Sequence, residues 1–153
     1  MQRYKILCRN FASLLVLAIF IACTGNHENK NSDSSPPDDL TIVFGEGGGI
    51  TGLWQGYTIE SDGSVLTWQG RVAEANPTAA GKISEEALSR LWQSINENKI
   101  FTQSGTEPGN ITRFLRITSK KQKKQLNWAQ SVNDKTSELN QFYDLCREIV
   151  SQE

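Results

Sequence analysis

The chain has 153 residues with 16 Lys plus Arg against 17 Asp plus Glu, a formal net charge of −1, and a single His. Without an excess of basic residues it lacks the cationic stripe that neutralises phosphates, so no nucleic-acid partner is expected. Its one imidazole, His27, sits in a polar stretch away from any apolar pattern. That position excludes the usual Ser-His-Asp and Cys-His nucleophiles and His-containing zinc sites, and neither a metal nor a cofactor is expected.

Arg3, Lys5 and Arg9 precede an apolar run, Phe11 to Ala22, and Cys23 follows it directly. About twelve residues make a signal-peptide core and fall short of the roughly 20 that cross a bilayer as a helix. These residues resemble the signal of a bacterial lipoprotein: Phe20, Ile21, Ala22 and Cys23 fill the lipobox, with Phe20 where Leu is usual. The resemblance implies removal of residues 1–22, acylation of Cys23, and attachment to the membrane through that lipid. An uncleaved anchor and an ordinary signal peptide are the alternatives. The implied location is the cell envelope, and in a cell with two membranes Thr24 resembles the residue that follows the cysteine in outer-membrane lipoproteins. From Cys23 onward the chain keeps 13 basic and 17 acidic residues, a net charge of −4. Cys8 would leave with the signal and Cys23 would carry lipid, so Cys146 alone remains and no intramolecular disulfide is possible.

Residues 23–39 read as the lipidated cysteine and a flexible tether, because TGNHENKNSDSSPPDD holds no large apolar residue that could offset the entropy of ordering. Residues 40–153 read as one globular domain. Leu40 to Phe44 alternates as a strand, which Gly45 to Gly49 should break. A second strand, Gly52 to Glu60, puts Leu53, Tyr57 and Ile59 on one face, and Asp62-Gly63 signals a hairpin to a return strand at Ser64 to Gln69 carrying Leu66 and Trp68 on one side. Arg71 to Lys82 reads as a loop. A helix should start after Ser84, with Glu85 and Glu86 at its N-terminus and Leu88, Leu91, Trp92 and Ile95 as its buried stripe. Ile111 to Thr118 alternates again and should pair with Gln125 to Ala129 through the lysine-rich turn Lys120 to Lys124. A last helix, about Asp134 to Val150, carries Leu139, Phe142, Cys146 and Ile149 on one side. The expected fold is α+β: an antiparallel sheet of about five short strands with two helices packed on one face, in the order β-β-β-α-β-β-α.

Several residues could carry chemistry. Gly47, Gly49 and Gly52 satisfy G-x-G-x-x-G, but strand residues follow where a dinucleotide site needs a helix, so a tight turn or bulge is the better account. Such a flexible tip beside a rigid sheet is also a good partner-contact loop, Gly48, Gly49, Ile50, Thr51 and Gly52. Trp54 falls opposite Leu53, Tyr57 and Ile59, which makes it the best candidate for an exposed aromatic that could stack on a sugar, while Trp92 reads as core and Trp68 and Trp128 fit the sheet's buried face. The lysine turn could attract anionic lipid or simply keep a hairpin tip soluble. Cys146 reads as a small buried hydrophobe rather than a reactive thiol. Glu46, Glu60, Asp62 and Glu74 show no spacing that identifies an acid and base pair, and no catalytic residue is assigned.

The stretch Phe44 to Asp62, with Gly48-Gly49-Ile50-Thr51-Gly52, followed by a strand and a later helix containing Leu88 and Leu91, is similar to the GGF-x-G pattern of emfourin-type proteins, Ile50 standing where Phe is usual. Emfourins include small inhibitors of thermolysin-like metalloproteases. With the missing catalytic constellation, these residues lead to the expectation of a lipid-anchored, non-enzymatic binding module outside the cytoplasm that meets an envelope or secreted protein, in its sharpest form as a protease inhibitor. The alternative is a small carboxylate-dependent hydrolase or carbohydrate-binding protein acting on envelope polysaccharide.

Overall fold

The computed structural model describes residues 35–119, 121–130 and 136–152. The expected signal segment, Cys23 and His27 lie outside the described residues. Strands β1 (Thr41–Gly48), β2 (Leu53–Glu60), β3 (Ser64–Gly70) and β4 (Thr78–Lys82) are followed by helix α1 (Glu85–Glu97) and a short 3-10 turn (Ile100–Thr102). Then come β5 (Ile111–Thr118), β6 (Lys123–Ala129) and helix α2 (Ser137–Ser151). All strand pairs are antiparallel, in a six-stranded sheet of order β4-β3-β2-β1-β5-β6.

The expected α+β class holds, with one strand more than the five expected. The addition is β4, inside the segment that reads as a loop. Its sequence, Thr-Ala-Ala-Gly-Lys, has no apolar alternation because every residue is exposed on the sheet edge, and the strand is held by backbone pairing to β3. β1 also outruns its expected end at Phe44. It continues through Gly45, Glu46, Gly47 and Gly48 in unbroken register with both β2 and β5. The glycines there serve contact rather than flexibility: a Cβ on Gly45 would lie 2.6 Å from Cη2 of Trp68, and one on Gly47 would lie 2.3 Å from Cδ2 of Trp54. Two indoles therefore sit directly on the β1 backbone.

Alternation along each strand divides the side chains between the two faces of the sheet. Ile42, Phe44, Ile59, Val65, Leu115, Ile117, Leu126 and Trp128 face the helices and join Leu88, Leu91, Trp92 and Ile95 of α1 and Leu139, Phe142, Tyr143, Cys146 and Ile149 of α2 in the main core. α1 begins where the sequence suggests: Ser84 is the N-cap, its Oγ accepting from the Ala87 N–H at 3.2 Å, with Glu85 and Glu86 in the first turn. On the opposite face Val43, Trp68 and Phe114 form a second, smaller cluster with Trp54 and Ala73 against it. Trp68 and Trp128 are both buried, as expected, but on opposite faces of the sheet. In the β2–β3 hairpin Gly63 takes the positive φ of 85°, while Asp62 accepts hydrogen bonds from the Ser64 N–H and Oγ. No helix among the described residues is long and apolar enough to cross a membrane.

Residues 35–39, the end of the expected tether, lie against the domain. Pro36 and Pro37 are half-buried, and the Leu40 N–H donates to the Pro37 carbonyl at 3.0 Å.

Candidate functional site

The β1–β2 connection is a defined turn rather than an open loop. Gly48, Gly49 and Gly52 all take positive φ, 106°, 64° and 59°, which a side chain would strain. The Gly49 N–H donates to the Asn110 carbonyl at 2.7 Å, fastening the turn to the segment that leads into β5, and the Gly52 N–H donates to the Gly49 carbonyl at 3.3 Å. Ile50 stands at the apex with its side chain fully in solvent at 107% relative exposure, and Leu53 is exposed to 41%. Thr51 is exposed between them. The backbone thus holds an apolar residue out on a fastened support.

Trp54, the expected exposed aromatic, is half-buried. Its indole rests on Gly47 and its ring meets Phe114 edge-on at 5.7 Å between centroids. Phe114 lies 5.7 Å from Trp68 in turn, and the Trp68 ring covers Gly45 and Gly56. The three rings make a continuous aromatic layer immediately behind the turn. Arg116 and Glu74 pair beside it, bringing the β3–β4 connection over that face. Trp54 is thereby a brace for the strands that carry the turn, with part of its surface left open.

On the helix-facing side of the same end lies a polar cluster, of which only Glu46 is among the candidates singled out in the sequence. Arg113 of β5 is opposite Glu46 of β1, with Arg113 Nε 3.8 Å from Glu46 Oε2 and the two side chains exposed to only 11% and 19%. Arg113 Nη1 donates to Asn140 Oδ1 at 2.8 Å, and its guanidinium lies 4.5 Å from the centre of the Tyr143 ring. Trp128 Nε1 donates to the same Asn140 oxygen at 3.0 Å. Among the described residues neither Glu46 Oε2 nor Arg113 Nε makes a hydrogen bond, so this pair is a charge contact without directional bonding. Burial pushes the Tyr143 phenol well above its usual range, with the Glu46 carboxylate adding to the effect. Glu46 and Tyr143 also line a shallow cavity of about 180 Å³ with Gln55, Tyr57, Gln69 and Arg147. The signal for this cluster was present in the sequence. Arg113 has the parity of Ile111, Leu115 and Ile117, and Glu46 has that of Ile42 and Phe44, so both had to meet the core face.

The structure disperses the four carboxylates singled out in the sequence. Glu46 belongs to the Arg113 cluster, and Glu60 accepts from Thr41 Oγ1 at 3.3 Å at the far end of β2. Asp62 caps its own hairpin, and Glu74 pairs with Arg116. Hydrogen bonds from Ser64 hold the Asp62 carboxyl below the usual carboxylate range. Cys146 is fully buried, and burial pushes its thiol far up, as suits an inert core residue. Among the described residues no three His, Cys, Asp or Glu side chains converge to hold a metal. No family model and no curated protein matches the sequence.

Proposed function

We propose that this protein is a non-enzymatic binding module, held in the cell envelope by lipid on Cys23, that engages a protein partner through the turn Gly48, Gly49, Ile50, Thr51 and Gly52. The observation that carries the reading is Ile50, fully solvent-exposed at the apex of a turn fastened by the Gly49 to Asn110 hydrogen bond. Fully exposed, the Ile50 side chain adds no burial to this fold, whereas a partner pocket that buries it gains about 1.5 to 3 kcal/mol, a factor of roughly 10 to 150 in affinity. Support behind the turn keeps the ordering cost of binding low, because the aromatic layer of Trp54, Phe114 and Trp68 already fixes the strands.

In its sharpest form the partner is a thermolysin-like metalloprotease, as the similarity of this turn to emfourins suggests. The test is inhibition of a secreted thermolysin-like protease by the purified chain from residue 23, alongside the N-terminal mass of the protein from its native host. Stoichiometric inhibition and a diacylglyceryl Cys23 are the expected results. Absence of inhibition removes the protease version, and an intact Met1 terminus removes the anchor.

A further inference from the structure

The two ends of β1 differ in chemistry. At one end is the Gly48–Gly52 turn; at the other, strand pairing sets Thr41, Thr118 and Lys123 side by side across β1, β5 and β6. The β5–β6 turn belongs to this second end, closed by the Ser119 N–H donating to the Gln122 carbonyl at 2.8 Å and the reverse bond at 3.2 Å. Lys121 is exposed in the turn, and Lys123 and Lys124, the first two residues of β6, follow it, exposed and half-buried, with Lys120 beside them in sequence. Among the described residues none of Lys121, Lys123 and Lys124 forms an ion pair, although Asp38 and Asp39 line the same cavity as Lys121. That cavity is where the N-terminal segment meets the domain: Ser35 to Asp39 form one wall, and Ser119, Lys121 and Gln122 part of the other. The lysine turn and the point where the N-terminal segment joins the sheet are therefore neighbours.

We propose that this end of the domain is a membrane-facing surface that takes anionic lipid headgroups and so points the Ile50 turn away from the bilayer. The inference rests on the anchoring of Cys23. Cys23 is twelve residues from Ser35, a span of at most about 43 Å fully extended, so the lysines meet the leaflet as a second, intramolecular contact. Each lysine close to an anionic leaflet raises binding about fivefold, and Asp38 and Asp39 take back part of that gain. At about 3.4 Å per residue the eight residues of β1 put the opposite turn roughly 25 Å further out, beyond the screening length of the surface charge. Lipid and lysines together fix which end faces outward, which one flexible attachment cannot do.

The chain from residue 23 with Cys23→Ser retains every core residue, all of which lie between Leu40 and Ile149. Its flotation with phosphatidylcholine vesicles is compared with flotation on vesicles containing about one third phosphatidylglycerol. The proposal expects at least about a tenfold preference for the anionic vesicles, lost in Lys121→Gln/Lys123→Gln/Lys124→Gln and weakened by added salt, with an unchanged melting temperature. Equal binding to both vesicles, or a triple variant that binds like the parent, overturns it. The N-terminal mass separates the two readings. Acylated Cys23 without vesicle preference overturns only the lysine surface, whereas vesicle preference with unacylated Cys23 supports that surface and removes the anchor.

Discussion

The two faces of the sheet exclude water by different means. Beneath α1 and α2 a broad core forms from side chains interlocking with side chains, and Phe142 at its centre is completely buried. On the opposite face no helix of the described residues packs, and burial comes from Trp68 and Trp54 seated on glycine backbone, with Phe114 in ring contact with both. Glycine thus does on one face what a second layer of helices does on the other: it lets bulky rings approach closely enough to be buried. The aromatic face also braces the strands that end in the Ile50 turn.

The largest effect is expected in the helix-covered core. Phe142→Ala should destabilise by about 3 to 5 kcal/mol in urea unfolding, because it leaves a cavity that packed neighbours fill only in part. On the other face the sharper probe is an added methyl. In Gly56→Ala the new Cβ would lie 2.2 Å from the Phe44 carbonyl oxygen and 2.5 Å from Cζ2 of Trp68. A loss of about 1 to 3 kcal/mol is expected from overpacking, and a neutral result would break the account of rings seated on backbone. The smallest effect belongs to the hairpin. Hydrogen bonds from Ser64 hold the Asp62 carboxyl below the usual carboxylate range, so its contribution is present above that range and is lost as pH falls through the lowered folded-state value. Melting curves of Asp62→Asn and the parent should accordingly differ slightly near neutrality and converge in acid.

Much of this architecture was legible in the sequence because period-two and period-three-and-four patterns survive wherever one face is buried. Ile111, Leu115 and Ile117, and the stripe Leu88, Leu91, Trp92 and Ile95, lie where their spacing put them. β4 was illegible because an exposed edge strand needs only backbone pairing, and Thr78 to Lys82 has no side-chain pattern to report it. The continuation of β1 was hidden for a different reason: Gly45 and Gly47 read as breaks, and only the positions of Trp68 and Trp54 across the sheet show them to be contact points. Alternation gives parity but not which parity a helix covers, so Trp68, expected on the same buried face as Trp128, lies on the opposite one. Of the candidate site, the glycine turn was visible as a motif and the exposure of Ile50 was not, because exposure at an apex depends on what the neighbouring segment near Asn110 does. Arg113 and Glu46 were visible as charges at core parity, while their shared end of the sheet depends on the register of β1 with β5.

The most direct test of the central claim is a paired titration of a thermolysin-like protease with the parent chain and with Ile50→Asp, each checked by its melting temperature. Ile50 makes no contribution to the core, so the substitution should shift stability by no more than about 0.5 kcal/mol. The parent should inhibit, and Ile50→Asp, equally stable, should lose at least about tenfold in affinity. Equal inhibition by both chains would contradict it, placing the contact somewhere other than the Gly48–Gly52 turn.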